Sequence, residues 1–213
     1  MSDPVLVLGA TSGIGKFTVA EAIRRGIAVR GFARSADTLV ANDLLEPVKG
    51  DARNEADVLS AVTGCRAVIY ALGIRERLAM LWEKETLFSD TTRVLISAME
   101  TAKVRRLVVV TGFGAGRSRS AMSRIEQIGH RAVLGGPYAD KDRQEALIME
   151  SDLDWTIIRP VILTNGRPSD GIRVLRDPAQ WRNGLISRAD VAGHLLDTIE
   201  MDLDIRRDVI IAR

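Results

Sequence analysis

The chain has 213 residues and no linker or charge block that would divide it, so it is within reach of a single domain. Its 30 basic and 28 acidic residues leave a net charge of +2, and nucleic acid is therefore not expected as a main ligand. No apolar run is long enough to span a bilayer and no signal-like segment precedes the first strand, so we expect no membrane association and a cytoplasmic location.

The first predicted strand ends in a glycine-rich turn. Val5 to Leu8 is apolar, and the turn G-A-T-S-G-I-G follows, with glycines at positions 9, 13 and 15. A pyrophosphate can lie against the backbone amides of a helix N-terminus only where no side chain intervenes. We expect Gly9 to turn the chain sharply, Gly13 to leave room for the phosphates and Gly15 to let the next helix pack closely.

Thr11, Ser12 and Ile14 complete this turn, and the two hydroxyls are expected beside the phosphates. An ordinary glycine-rich turn between a strand and a helix is the alternative interpretation. An amphipathic stretch follows the turn, however, and a second apolar run at 27–32 completes a βαβ unit. This context favours a dinucleotide-binding turn.

Strands and helices alternate along the rest of the chain. Further strands are predicted at 28–32, 46–50, 67–72, 107–110, 155–158 and 209–211. Helices are predicted at 54–62, 83–102, 139–151 and 187–200, with Asn54 and Ser187 as N-caps. This order indicates an α/β fold with a doubly wound, mainly parallel Rossmann-type sheet and helices on both faces. We expect one domain over 1–213, with a small substrate-side region formed by the loops 74–84, 112–137 and 161–187.

The sequence predicts neither a disulfide nor a metal site. Cys65 is the single cysteine, and its place between Gly64 and a strand predicts a small buried residue, with a reactive thiol as the alternative. His130 and His194 lie in separate segments without metal-ligand spacing.

The ends of the second and third strands are expected to meet the adenosine half of a cofactor. Arg34 and Ser35 follow the second strand, with no acid before Asp37. An NAD-preferring site usually places an acid there for the ribose, whereas a 2′-phosphate needs a cation, so NADP is favoured over NAD. A surface arginine is the alternative. Asp51 and Ala52 follow the third strand, where a carboxylate can accept from the adenine amino group, and Asp51 is equally open as a helix N-cap.

The later strand ends are expected to form the nicotinamide half. Gly73 ends the fourth strand, where a missing Cβ lets a ribose lie against the backbone, and Thr111 and Gly112 end the fifth. The cofactor-binding positions predicted here are Ala71, Leu72, Gly73, Arg75, Thr111, Pro160, Val161 and Ile162.

Several motifs together resemble the atypical short-chain dehydrogenase/reductase family. They are the turn G-A-T-S-G-I-G, Arg34 after the second strand, A-L-G after the fourth, and the segments V-V-V-T-G-F-G-A-G and L-D-W-T-I-I-R-P. More narrowly, they are similar to its NmrA-like branch and to the biliverdin-IXβ reductase/flavin reductase type. The resemblance covers nearly the whole chain. It implies an extended NAD(P) lying across the sheet, with a substrate over the nicotinamide.

The chain departs from the family at one catalytic motif. Many members have a Tyr four residues before a Lys, whereas Tyr138 and Lys141 are three apart and Pro137 occupies the expected Tyr position. Lys141 matches the family's Lys by its spacing to Glu145 and to W-T-I-I-R-P, so the resemblance implies that it binds ribose. Tyr138 as proton donor does not carry over cleanly, and a helix cap or a pocket wall is the favoured interpretation.

Gly112 offers no hydroxyl where many relatives have a Ser, which leaves Thr111 as the nearest catalytic candidate. The glycine-rich segment that follows predicts a mobile loop beside the active site. Its Arg117, Arg119 and Arg124 are expected to attract a phosphate or carboxylate of the substrate, with a solvated basic loop as the alternative.

Aromatic residues are expected to bound the substrate pocket. Trp82, Phe113 and Trp181 are predicted to form walls for a planar substrate, while Trp155, within a strand, is predicted to lie in the core.

These observations predict an NADP-preferring reductase that transfers hydride to a small planar acceptor such as a flavin or quinone, for which water can deliver the second proton. One alternative is an NmrA-like regulator that senses NADP without turning it over. Another is a nucleotide-sugar epimerase or dehydratase, although only about fifty residues follow the last motif strand. The sequence indicates neither the identity of the acceptor nor the oligomeric state.

Overall fold

The structure, a computed structural model, describes residues 3–73, 86–122, 138–169 and 171–213. Its strands are β1 Val5–Leu8, β2 Val29–Ala33, β3 Leu45–Lys49, β4 Ala67–Tyr70, β5 Arg106–Val110, β6 Asp154–Pro160, β7 Ile162–Thr164, β8 Arg173–Leu175, β9 Leu185–Ser187 and β10 Arg207–Ala212. Its α-helices are α1 Gly13–Arg24, α2 Glu55–Val62, α3 Leu87–Thr101, α4 at 138–150 and α5 Arg188–Glu200. No helix in these described ranges is long and apolar enough to cross a membrane.

Eight of these strands form one sheet in the order β3-β2-β1-β4-β5-β6-β10-β8. All neighbours are parallel except β10 and β8. The chain proceeds outward from β1 through β2 to β3 and then crosses back to β4 on the other side of β1. A crevice opens at such a reversal, at the carboxyl ends of the strands, and ligands bind there in doubly wound folds. The predicted fold class is confirmed.

Each face of the sheet has its own hydrophobic core. Val5 and Val7 face the core beneath α1 and α5, whereas Leu6 and Leu8 face the core beneath α2 and α3. Successive side chains of a strand point to opposite faces, so a strand covered by helices on both sides must be apolar at every position. This is why the central strands β1 and β4 are unbroken apolar runs, whereas the outer strand β3 is not.

Most predicted elements match the structure to within one or two residues. Asn54 and Ser187 cap α2 and α5 by accepting hydrogen bonds from the amides of Asp57 and Asp190. The sequence analysis missed β7, β8 and β9, because three residues are too few for a periodic pattern. Of the helix predicted at 83–102, residues 83–85 lie outside the described residues.

Cys65 and Trp155 are structural residues. Cys65 is buried, its Sγ donates to the carbonyl of Ala61 at 3.3 Å, and burial raises its pKa to about 11. A thiol with so high a pKa is almost entirely protonated at neutral pH, so the reactive-thiol alternative is not supported. Trp155 packs in the core beneath α2 and α3, as predicted.

The glycine turn brings three backbone segments into direct contact. Gly9 has a φ of +87°, and a Cβ on it would lie 2.7 Å from the carbonyl oxygen of Ala71. A Cβ on Gly15, in the first turn of α1, would lie 2.2 Å from the carbonyl oxygen of Gly9. The end of β1, the end of β4 and the start of α1 can approach this closely only because both side chains are missing.

We expect Gly15→Ala to lower the free energy of unfolding by about 1–3 kcal/mol, because the methyl group would overlap a backbone oxygen that cannot move aside. Gly193→Ala is the matched control, since Gly193 is also helical and a Cβ there would lie 3.4 Å from its nearest neighbour, the end of the Arg25 side chain. The control should change stability by no more than about 1 kcal/mol. Urea unfolding measures both variants, and equal stabilities would contradict the close-packing argument.

Candidate active site

The turn before α1 has the properties of an anion site. Ser12 is the N-cap residue, but its side chain makes no capping hydrogen bond, and no acidic residue lies in the first turn. Gly13 has a φ of +52°, and no atom of the described residues lies within 4 Å of where its Cβ would be. The first amides of the helix therefore meet neither a capping side chain nor a carboxylate, and a pyrophosphate fits against them.

The end of β2 is joined to this turn by a hydrogen bond between the hydroxyls of Thr11 and Ser35, with a distance of 3.0 Å. Arg34 is exposed beside them, and its guanidinium forms no hydrogen bond or ion pair with any described residue. Asp37 is paired instead with Lys49, at 3.4 Å. An unpaired cation next to a phosphate-binding turn is the arrangement that a 2′-phosphate requires.

Asp51 shapes the turn before α2. Its Oδ1 accepts from the amide of Arg53 at 3.0 Å, and its own amide donates to Asp57 at 2.9 Å. The N-cap of α2 is Asn54, so the alternative of Asp51 as N-cap is wrong. Its contact with adenine stays a prediction. Ala52 is buried in the core beneath α2 and α3.

The structure brings Tyr138 and Lys141 together at the end of β5 despite their three-residue spacing. A Cβ on Gly112 would lie 2.9 Å from the Tyr138 hydroxyl and 3.5 Å from the Lys141 ammonium. The missing side chain at Gly112 thus provides the space into which the phenol reaches. This position is compatible with the pocket-wall interpretation of Tyr138, and whether its phenol acts as a proton donor stays untested.

Lys141 is partly buried, and its Nζ donates to the carbonyl oxygen of Thr111 at 2.6 Å. The ammonium also lies 5.2 Å from the ring centres of Phe88 and Tyr138. Burial lowers the pKa of Lys141 to about 8, with the charge of Glu145 acting in the opposite direction. Burial raises the pKa of Tyr138 to about 12, so its phenol is protonated at neutral pH and is a weaker acid than a free tyrosine.

The Thr111 hydroxyl does not face the site. It donates to Oε1 of Glu145 at 2.7 Å, and Glu145 in turn accepts two hydrogen bonds from Arg159, at 3.0 and 2.7 Å. Arg159 is completely buried and also bonds Asp208 at 2.5 Å. The expected catalytic role of the Thr111 hydroxyl is therefore corrected, because its proton is held inside a buried ionic network.

A second buried carboxylate anchors α4. Asp140 has no exposed surface, and it accepts hydrogen bonds from the amide of Phe88 at 2.7 Å and the hydroxyl of Ser89 at 2.5 Å. It thereby caps α3 from a neighbouring helix and fixes the turn of α4 that carries Tyr138 and Lys141. The sequence analysis missed this role because the cap lies about fifty residues away from the helix that it serves.

Arg117 and Arg119, predicted to attract an anionic substrate, are paired with internal carboxylates. Arg117 bonds Asp208, and Arg119 bonds Asp142 at 2.5 Å. These ion pairs lie along the segment at 112–122, which includes a 3₁₀ turn at Gly116–Ala121, and its mobility stays a prediction. Both arginine side chains stay more than half exposed, at 62% and 52%, and their attraction for an anionic substrate stays a prediction.

Phe113 and Trp181, predicted as pocket walls, are buried in the core beneath α1 and α5. The indole of Trp181 donates to the carbonyl of Leu175 at 3.0 Å, and its ring lies 5.3 Å from the Arg159 guanidinium. It therefore covers the ionic network rather than a substrate. Arg75, Trp82 and Arg124 lie outside the described residues, as do 74–84 and 123–137 of the expected substrate-side loops.

The end of β6 presents one apolar side chain outward. Pro160 and Val161 are buried, whereas Ile162 is 57% exposed and is paired with Leu185, which is 56% exposed. Their neighbours Leu163 and Ile186 pack toward the core. Contact of Pro160, Val161 and Ile162 with a nicotinamide stays a prediction.

Comparison with known proteins agrees with these features. The model of an NAD(P)H-binding family matches residues 9–202. Protein TIC 62, a chloroplastic protein of Arabidopsis thaliana, is 25% identical over 191 residues, which are 80% of this chain and 28% of that protein.

Two solved structures have the same fold. A short-chain dehydrogenase/reductase from Veillonella parvula in complex with NADP has a TM-score of 0.83 at 18% identity, covering 100% of this chain and 95% of that one. The anaerobillin reductase ChuY of Escherichia coli has a TM-score of 0.80 at 23% identity, covering 98% and 96%.

We expect Arg159→Met to lower the free energy of unfolding by about 3–5 kcal/mol at neutral pH, because Glu145 and Asp208 would keep buried charges without their shared partner. Burial opposes ionisation of Asp208, but the hydrogen bonds and charges of Arg117 and Arg159 outweigh it and hold the Asp208 pKa below its usual value. Its contribution is thus present above the unfolded-state pKa and is lost as the pH falls through the folded-state pKa. The difference in the free energy of unfolding between the variant and the unmutated protein should therefore become smaller as the pH is lowered.

Arg93→Met is the control for this measurement. Arg93 pairs with Asp90 at 3.5 Å on the surface, and its loss should cost less than about 1 kcal/mol. Denaturant unfolding across the acid range measures both variants, and a cost for Arg159→Met no larger than the control would contradict the structural role of the network.

Proposed function

Since the chain belongs to the NAD(P)H-binding family, we propose that it is an NADP-preferring reductase that passes hydride to a small planar acceptor such as a flavin or quinone. The observation that carries the cofactor preference is Arg34, an exposed guanidinium without a partner among the described residues, beside the Thr11–Ser35 hydrogen bond. No acidic side chain at this end of β2 competes for it, since Asp37 is paired with Lys49.

Different residues of the chain would bind different parts of the cofactor. The amides at the start of α1 would hold the pyrophosphate, Arg34 the 2′-phosphate, and Lys141 the ribose next to the nicotinamide. When bound, the nicotinamide supplies the hydride. The protein then has to exclude water from the face at which the acceptor lies and to fix the orientation of the two rings.

The proposed class of acceptor is supported by the absence of an activated proton donor among the described residues of the site. The Tyr138 phenol has a pKa near 12, and the Thr111 hydroxyl is bound to Glu145. A carbonyl needs a proton donor as hydride arrives, whereas a flavin or quinone can take its proton from water. The same two observations also favour the second candidate, an NmrA-like protein that binds NADP without turning it over.

Steady-state oxidation of NADPH with a panel of flavins, quinones and anaerobillin separates the two candidates. Anaerobillin is included because ChuY, which has the same fold, is an anaerobillin reductase. Turnover with a panel member supports the reductase. Tight NADPH binding without turnover of any panel member favours the sensor. A small-molecule acceptor as partner and a cytoplasmic location stay predictions.

Arg34→Ala should weaken NADPH binding by about 10- to 150-fold and leave NADH binding unchanged, because a charge-assisted hydrogen bond to the 2′-phosphate contributes roughly 1.5–3 kcal/mol. Arg66→Ala is the matched control, since Arg66 is also exposed but lies at the amino end of β4, away from the crevice. Titration calorimetry with both cofactors measures the effect. Equal affinities of the unmutated protein for NADPH and NADH would rule out the preference.

Tyr138→Phe should keep at least about one tenth of the unmutated kcat with the best flavin or quinone acceptor, because an unactivated phenol contributes no general acid catalysis. A positioned general acid is typically worth about 10²–10⁴-fold. A hundredfold loss of kcat with NADPH affinity intact would show that the phenol delivers the proton, and carbonyl reduction would then replace the proposed reaction.

A further inference from the structure

Thr111 is held by two residues of the same helix through two different groups. Its hydroxyl donates to Glu145 at 2.7 Å, and its carbonyl accepts from the Lys141 ammonium at 2.6 Å. Glu145 lies four residues after Lys141, so both side chains project from one face of α4. The helix is therefore joined to the end of β5 at two points on one residue, and neither side chain can move away without breaking its hydrogen bond to Thr111.

Glu145 is in turn fixed from the next strand. Arg159 of β6 forms two hydrogen bonds to its carboxylate, and both side chains are essentially unexposed, at 0% and 3%. Gly116 completes the enclosure, since a Cβ there would lie 1.9 Å from Oε2 of Glu145. The carboxylate thus has a single position, set by the sheet and by the loop after β5.

The surroundings of Lys141 make Glu145 its electrostatic partner. The end of β5 contributes a neutral carbonyl and α3 contributes the ring of Phe88. On α4 itself, the titratable neighbour Tyr138 stays neutral, because burial raises its pKa to about 12. Among the residues that the structure describes, Glu145 is the charged group that favours the protonated form of Lys141 against the effect of burial.

We propose that Glu145 is a positioning residue for Lys141, which holds the ammonium at the end of β5 through Thr111 and keeps it positively charged for the cofactor. This inference rests on the cofactor-binding role proposed for Lys141. It assigns to the Arg159–Glu145 pair a function in cofactor binding as well as in stability.

The test is the affinity for NADPH as a function of pH. In the unmutated protein the affinity for NADPH should decrease as the pH rises into the alkaline range, because Lys141 loses its proton there. We call this decrease the alkaline fall, and Lys141→Met should abolish it. Glu145→Gln keeps the shape of the side chain but removes its charge, so the fall should move to lower pH by about one unit. Glu145→Asp retains the charge and should leave the fall close to its original place.

Asp208→Asn is the matched control. Asp208 bonds the same Arg159 guanidinium from the opposite side, and its carboxylate is not hydrogen-bonded to Thr111 or Lys141. It should destabilise the fold without moving the alkaline fall. If Glu145→Gln does not fold, the double variant Glu145→Gln/Arg159→Met removes the Arg159–Glu145 pair as a whole, leaves Asp208 with Arg117, and should show the same shift.

The outcomes separate this inference from the proposed function. An alkaline fall that persists in Lys141→Met, stays in place in Glu145→Gln, or moves equally in Asp208→Asn overturns the role of Glu145 while the reductase proposal stands. Failure of the unmutated protein to bind either cofactor overturns both. The expected shifts without turnover of any acceptor support the role of Glu145 and contradict only the reductase.

Discussion

The buried guanidinium of Arg159 joins α4, β10 and the segment after β5, which border the crevice at the carboxyl ends of the strands. It bonds Glu145 of α4 on one side and Asp208 of β10 on the other, and the ring of Trp181 lies against it. Each carboxylate also holds a part of the segment after β5, Glu145 through Thr111 and Asp208 through Arg117. Charges this deep are tolerated only when fully paired, so the helix, both strands and the loop must assemble together.

The end of the crevice at β1 and α1, where we propose that the adenosine half binds, is organised by the absence of side chains. Gly9 and Gly15 let three backbone segments touch, and Gly13 leaves the first turn of α1 open. At the nicotinamide end a glycine has a different effect, because the space beside Gly112 is taken by the Tyr138 hydroxyl and the Lys141 ammonium. The shorter spacing between Tyr138 and Lys141 is thus accommodated by a residue without a side chain in the segment after β5.

The fold and the adenosine half could be predicted from the sequence because their signals are local. The glycine spacing, the apolar strands and Arg34 each lie within a few consecutive residues, and the structure places them as expected. The interior of the nicotinamide half could not be predicted in the same way. Whether Arg117 faces a substrate or Asp208 depends on a contact across 91 residues, and the orientation of the Thr111 hydroxyl depends on Glu145, 34 residues away.

A crystal structure of the protein soaked with NADPH tests the central claim most directly. We expect the pyrophosphate against the amides at the start of α1, the 2′-phosphate on Arg34, and the ribose next to the nicotinamide within hydrogen-bonding distance of the Lys141 ammonium, with the Arg159 network unchanged. A dinucleotide bound elsewhere, or one whose nicotinamide end lies away from Lys141 and Gly112, would contradict the assignment of this crevice as the active site.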